Sequence, residues 1–181
     1  MRFIPASAHV TPEQERARYE LHQNSLEDTG YVRFLRPAID CLKRHAPPPA
    51  TVLDYGSGPA PVLVSLLNRE GFKAIGYDPH FAPAPPPGEP FEAVISTETF
   101  EHFRRPCAEL DRIVGLIRPG GLLVVMTALW TPDRDFAAWH YVSDETHIAF
   151  YSESTFQFIA EAWGLRRVET DGRQLVALVR A

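Results

Sequence analysis

Two aspartates and two glycines mark the first place in this sequence where chemistry can be done. Asp54, Gly56 and Gly58 fall in the run Val52-Leu53-Asp54-Tyr55-Gly56-Ser57-Gly58, and Asp78 stands 20 residues beyond Gly58. An apolar strand, a glycine turn and a helix bring backbone N–H groups to a ligand. An acidic group at the end of the next strand is placed to take both hydroxyls of a ribose. Three details choose among nucleoside-like ligands. The dinucleotide fingerprint needs a third glycine at position 61, which is proline. Pro59 and Pro61 remove two N–H donors where a pyrophosphate would want them. Asp54 adds a charge that repels phosphate and favours a cation. A nucleoside bearing positive charge fits better than a nicotinamide dinucleotide. The plainer alternative is a tight turn with Asp54 as a helix cap.

A second set of groups suits proton transfer. Glu98 and Glu101-His102 follow a central strand, and His140 and His147 lie in a long loop. Histidine titrates near neutrality and serves as a general base or orients a substrate. His147 is the first candidate for that role, and His140 the second. Each histidine, bonded instead to backbone, would brace its loop. The seven-residue spacing of His140 and His147, with Asp144 between, matches no compact zinc pattern, so no metal site is expected. Trp130, Phe136, Trp139, Tyr141, Phe150 and Tyr151 make the same region aromatic, which suits either a packed lid or an apolar acceptor pocket.

These groups need a frame, and 181 residues with 45% hydrophobic and 23% charged content supply one soluble domain. The net charge of -5 argues against general polyanion binding, so no nucleic-acid partner is expected. No apolar run reaches membrane-span length and no signal-peptide core opens the chain, which predicts a cytoplasmic protein without a membrane partner. Cys41 and Cys107 read as free thiols.

Periodicity predicts a helix from Thr11 and Pro12, interrupted at Asp28-Thr29-Gly30, and a second helix over 31–45. A strand at 51–53, a helix from Pro59 to Gly71 and a strand at 72–77 form a βαβ unit. Residues 79–90 are too rich in proline for a central strand. A strand at 91–96, a helix over 106–117 stopped by Arg118-Pro119-Gly120-Gly121, and a strand at 122–127 follow. Ser152 or Ser154 caps a helix ending at Gly164, and Asp171-Gly172 joins strands at 165–170 and 174–180 as a hairpin.

The strings VLDYGSGP, GYDP, FEAVISTETFEHF and RPGGLLVV resemble successive motifs of class I S-adenosylmethionine-dependent methyltransferases, over roughly residues 52–180. The resemblance implies S-adenosyl-L-methionine as cofactor, a sulfonium with an ammonium group and no phosphate. It places Asp54, Gly56 and Gly58 at the methionine end, with Tyr55, Ser57 and Pro79 also against the cofactor, Asp78 at the ribose, and Thr97 and Glu98 beside the transferable methyl. It implies an α/β, Rossmann-like sheet of seven strands, mostly parallel, with an antiparallel C-terminal hairpin. One departure stands out: the proline-rich 79–90 segment replaces the third strand, which is expected to be missing or vestigial. Adenine would then rest on Pro79, His80 and Phe81. The organisation expected is a single domain over 1–181, with an N-terminal helical cap over 1–46 and a Rossmann-like core over 50–181.

Glu101-His102 resembles quinone-methylating enzymes, and Asp144-x-Thr146-His147 through Ser152 resembles an uncharacterised bacterial subset. The run from Arg18 through Tyr19 and His22 to Asn24 is similar to that subset too, and implies that Tyr19 and His22 close over the cofactor. The activity implied is methyl transfer to oxygen or nitrogen of a small aromatic or hydrophobic acceptor. A non-catalytic S-adenosylmethionine sensor or accessory subunit is the alternative, and a nicotinamide enzyme a weaker one. A homodimer is compatible with the sequence.

Overall fold

The computed structural model describes residues 1–21, 24–84, 88 and 90–181. The chain runs β1 (Arg2–Phe3), α1 (Pro12–Glu20), α2 (Thr29–His45), β2 (Thr51–Tyr55), α3 (Val62–Arg69), β3 (Lys73–Tyr77) and β4 (Phe91–Thr97). It continues through α4 (Pro106–Gly115), β5 (Ile117–Met126), β6 (Ala149–Phe150), α5 (Glu153–Ala162), β7 (Leu165–Thr170) and β8 (Leu175–Arg180). The main sheet has the order β3-β2-β4-β5-β8-β7. Strands β2 to β5 are parallel, and β8 runs antiparallel to both β5 and β7. The mostly parallel sheet with its C-terminal hairpin is therefore as expected. Asp171 sets the hairpin turn, its Oδ1 accepting the N–H groups of Arg173, Gln174 and Leu175.

The sheet is buried on both faces because its strands are apolar on both. Along β4, Ala93 and Ile95 pack with α2 and α3, while Val94 packs with α4 and α5. That covering is what parallel strands require. Among the described residues six strands form this sheet, not seven. After β3 the backbone makes an isolated bridge between Asp78 and Ala82, and β3 is the edge. The third strand is missing among the described residues, and prolines without N–H groups account for it.

Three boundaries differ from expectation. Asp28 caps α2 by accepting the Tyr31 N–H at 3.0 Å, so the helix starts at Thr29 with Gly30 in its first turn. Helix α2 also buries Leu35, Ala38, Ile39, Cys41 and Leu42 against the sheet, so it belongs to the core layer rather than to a cap. Arg118-Pro119-Gly120-Gly121 does not separate helix from strand. The chain enters β5 at Ile117, and these four residues lie within its first half, where the pairing with β4 slips between Phe91 and Ala93. Finally, β1 pairs antiparallel with β6, and the Ile4 N–H donates to the Ile148 carbonyl. The start of the chain is thereby stitched to the loop that carries His147.

Candidate active site

The glycine turn sits where the C-terminal ends of β2 and β3 meet. Gly56 has φ +88°, and a Cβ there would lie 2.3 Å from Thr99 Oγ1, so neither the conformation nor the space admits a side chain. The Gly56 and Ser57 N–H groups both donate to the Tyr77 carbonyl, and the Gly58 N–H donates to Asp78 Oδ2 at 3.0 Å. Asp78 Oδ1 accepts from the N–H groups of His80 and Phe81. The turn thus has no spare backbone N–H from residues 56–58, and helix α3 begins only at Val62, behind Pro59 and Pro61. A pyrophosphate would lose the backbone cradle that such a turn usually offers it. Asp54 is 2% exposed, and its Oδ1 has no hydrogen-bond partner. Burial, and then the charge of Asp78, push its carboxyl up to about 7. A buried carboxylate with an unpartnered oxygen is what a cationic ligand would relieve.

Beyond the turn lies a cleft of about 770 Å³, lined at one end by Asp54, Gly58, Pro79 and His80 and at the other by Glu98, His102 and His147. Tyr55, Ser57, Asp78 and Thr97 also face it. Phe81 does not line it; its ring packs 5.5 Å from the Arg16 guanidinium instead. Glu98 directly follows β4 with φ 48°, the left-handed region, while its N–H donates to the Met126 carbonyl. Such strain, on the order of 1–2 kcal/mol, persists where the surroundings fix a side chain's direction. Burial first, and then the neighbouring Glu101, push Glu98 up to about 8.

Glu101 is fully buried, accepting from Thr127 Oγ1 at 2.9 Å and from the Tyr141 hydroxyl at 2.5 Å. The rings of His102 and His147 face one another at 4.9 Å between centroids. His102 Nδ1 meets the Thr146 carbonyl and His147 Nδ1 meets the Tyr141 carbonyl. Each Nδ1 must carry the proton, which leaves each Nε2 as the acceptor in the neutral ring. Burial lowers the His147 pKa, with Glu101 opposing that shift.

Helix α1 covers the cleft. Thr11 caps it through a reciprocal bond with Gln14, as its sequence signals predict. Glu15 accepts from Tyr19 and from Arg104, and Arg18 pairs with Asp144 at 3.6 Å. Tyr19 places its ring against His80 and His102, at 6.0 and 5.2 Å. Glu15 and Arg104 were not legible as site residues, since an acid early in a helix is ordinarily a dipole partner. His22 lies outside the described residues.

His140 is exposed and does not line the cleft. The aromatic set is also elsewhere. Trp139, Tyr141 and Phe150 form a cluster with Trp130 and Phe136, closed by Arg2 4.3 Å from the Trp130 ring centre. Tyr151 packs in the main core. These rings brace the loop and do not wall an acceptor pocket, because the β1–β6 pairing draws them inward.

A parallel sheet with a ligand cleft at the carboxyl ends of β2, β3 and β4 defines a Rossmann-like nucleoside-binding protein. The sequence matches the methyltransferase domain family over residues 27–170, and the chain belongs to that family. Its fold is similar to the 1,6-didemethyltoxoflavin-N1-methyltransferase of Burkholderia thailandensis, a structure with S-adenosylhomocysteine bound, at TM-score 0.65 and 16% identity over 99% of this chain and 94% of that one. It is similar to Streptomyces venezuelae DesVI at TM-score 0.63 and 15% identity, over 96% and 100% of the two chains. Magnesium protoporphyrin IX methyltransferase of Synechocystis, with S-adenosylmethionine bound, gives TM-score 0.59 and 14% identity over 94% and 92%. No curated protein matches the sequence. No described helix is long and apolar enough to cross a membrane.

Proposed function

We propose that this chain binds S-adenosylmethionine along the glycine turn and transfers its methyl group to a heteroatom of a small acceptor held between Glu98, His102 and His147. The observation that carries the reading is Asp54, a buried carboxylate with an unpartnered oxygen beside a turn whose backbone N–H groups are already spent. Asp54 would hold the ammonium end. Asp78 keeps acceptor capacity after its three backbone bonds, since a carboxylate offers about four lone-pair sites, and would take the ribose. Pro79 and His80 would border the adenine. Bound there, the cofactor supplies an electrophilic methyl carbon. Its bond to sulfur breaks with the electron pair left on sulfur, a bond to the acceptor oxygen or nitrogen forms, and the acceptor proton leaves to a base.

The protein's part is alignment and exclusion of water. Helix α1 roofs the cleft, Glu98 is fixed by its strained backbone, and the two Nε2 atoms are available to an acceptor. The cleft's acceptor end is polar, which favours a hydroxyl- or amine-bearing acceptor over a purely apolar one. The similar toxoflavin and protoporphyrin enzymes are consistent with a small ring-bearing acceptor. A non-catalytic sensor would not need Glu98, His102 and His147 poised together. Calorimetry tests the reading. S-adenosylhomocysteine should bind and NAD should not, and Asp78→Ala should weaken binding about tenfold or more. Tight NAD binding, or an Asp78→Ala variant with unchanged affinity, would sink it.

A further inference from the structure

The acceptor end of the cleft encloses two carboxyl groups, and the described residues put no cationic side chain against them. Glu101 is fully buried and Glu98 is largely enclosed, yet no described lysine or arginine pairs with either. The nearby cations are used elsewhere: Arg104 meets Glu15, and Arg18 meets Asp144. Two hydroxyls, from Thr127 and Tyr141, are what the described structure gives Glu101. Buried carboxylates are normally paired or coordinate a metal. Beside them stand two histidines whose ligand atoms, with one from Glu101, all lie within 4.8 Å of one another. Both rings spend Nδ1 on a backbone carbonyl and keep Nε2 for something else. That is how proteins orient metal-binding imidazoles, and the hydroxyls on Glu101 would orient the carboxylate in the same way.

We propose that Glu101, His102 and His147 are the protein ligands of a divalent first-row cation, with its remaining positions open toward the acceptor. Two imidazoles and a carboxylate suit manganese, iron, cobalt or zinc in the divalent state. The sequence hid this set because His147 lies 45 residues from His102 and was paired with His140 instead. A second grouping, Cys41, His45 and Glu169, makes a useful contrast. There Glu169 is already met by Arg44 and His45 at the surface, so no charge is left to satisfy. The inference deepens the methyltransferase reading and rests on it for the acceptor's identity: a hydroxyl-bearing molecule whose oxygen ligates the cation. The cation lowers the pKa of that hydroxyl. The proton then leaves to water, and the oxygen's electron pair forms the bond to the methyl carbon as the methyl–sulfur bond breaks with its pair left on sulfur.

The test uses the full chain stripped with EDTA and titrated with MnCl₂, read by calorimetry and by loss of the free Mn²⁺ electron-spin signal. About one equivalent should bind with a dissociation constant near or below about 10 µM. His102→Ala and His147→Ala should each weaken it ~100-fold or more, as should Glu101→Gln, while His45→Ala should change nothing. Circular dichroism checks folding; if Glu101→Gln does not fold, the two cleft-facing histidine variants decide alone. Failure of both Mn²⁺ and ZnCl₂ to bind below 1 mM would overturn the site, as would binding retained in both histidine variants, leaving an imidazole–carboxylate cluster without metal. S-adenosylhomocysteine is titrated into the same metal-free sample. If it binds and the cations do not, the metal site alone fails; if it does not bind, the cofactor reading fails separately.

Discussion

At the residue scale Asp54 carries the sharpest consequence. Its carboxyl, raised to about 7 by burial and by Asp78, holds a proton in the free chain at pH 6. A cationic ligand favours the charged form, so binding below pH 7 must release that proton. Affinity for S-adenosylhomocysteine should therefore rise up to tenfold per pH unit between about pH 5.5 and 7 and level off above, until the ligand's own ammonium titrates at more alkaline pH. Calorimetry in buffers of different ionisation enthalpy would show close to one proton released at pH 6; a flat profile would remove Asp54 from the site. The same shift has the opposite sign for folding. An acid whose folded pKa is raised binds more protons folded than unfolded between pH 4 and 7, so the free chain loses stability as pH rises through that window. Asp54→Asn should melt higher than the wild type at pH 8, by roughly 5–10 °C, gain nothing at pH 3.5, and fail to bind the cofactor product.

At the element scale, helix α1 is held differently from the rest. Of its residues only Glu15 is buried, and its contacts include Glu15 to Arg104, Arg18 to Asp144, Arg16 to the Phe81 ring and the Tyr19 ring to His80 and His102. The Arg18–Asp144 pair, with its arginine half exposed, is worth about 1 kcal/mol or less and weakens with salt, and the Glu15 carboxylate is released to water when α1 lifts. The α1 amides should exchange with solvent far faster than those of α2, which is locked into the core, and should slow once the cleft is filled. Arg104→Ala should raise the apparent dissociation constant severalfold without shifting the melting temperature by more than about 2 °C. Hydrogen exchange equally slow in α1 and α2 of the free chain would mean that α1 is fixed and not a lid. What the sequence revealed about these elements follows the same physics. Helix α1 was legible from Thr11 and Pro12 because caps are local. Strands β1 and β6, of two residues each, have no period to read, and they determine where His147 and the aromatic loop go. The Arg118-Pro119-Gly120-Gly121 run read as a stop, yet pairing with β4 drew it into β5.

At the scale of the whole molecule, the legible part of the site is the part built from one βαβ unit. Asp54, Gly56, Gly58 and Asp78 are close in sequence, and their types state their ligand. The acceptor end joins the tip of β4 to a loop some 45 residues later and to the N-terminal helix. Its geometry depends on long-range pairing, so the sequence ranks His147 ahead of His140 without placing either, and the fold puts His147 at the cleft and His140 at the surface. The proposed methionine and ribose ends of the cleft are anchored to β2 and β3, and β3 is the edge of the sheet with no further strand beyond it among the described residues. A ligand bridging that edge, the centre of the sheet and α1 binds only the folded chain and should stabilise it as a unit. At a hundred times its dissociation constant such a ligand adds about 2.7 kcal/mol, which for a domain of this size raises the melting temperature by roughly 5–11 °C. S-adenosylhomocysteine should produce that shift in a thermal melt, NAD and NADP should produce none, and Asp78→Ala should abolish most of it at the same ligand concentration. A comparable shift with NAD would mean that the edge of the sheet accommodates a dinucleotide despite its missing donors, and the assignment of the cleft would fall with it.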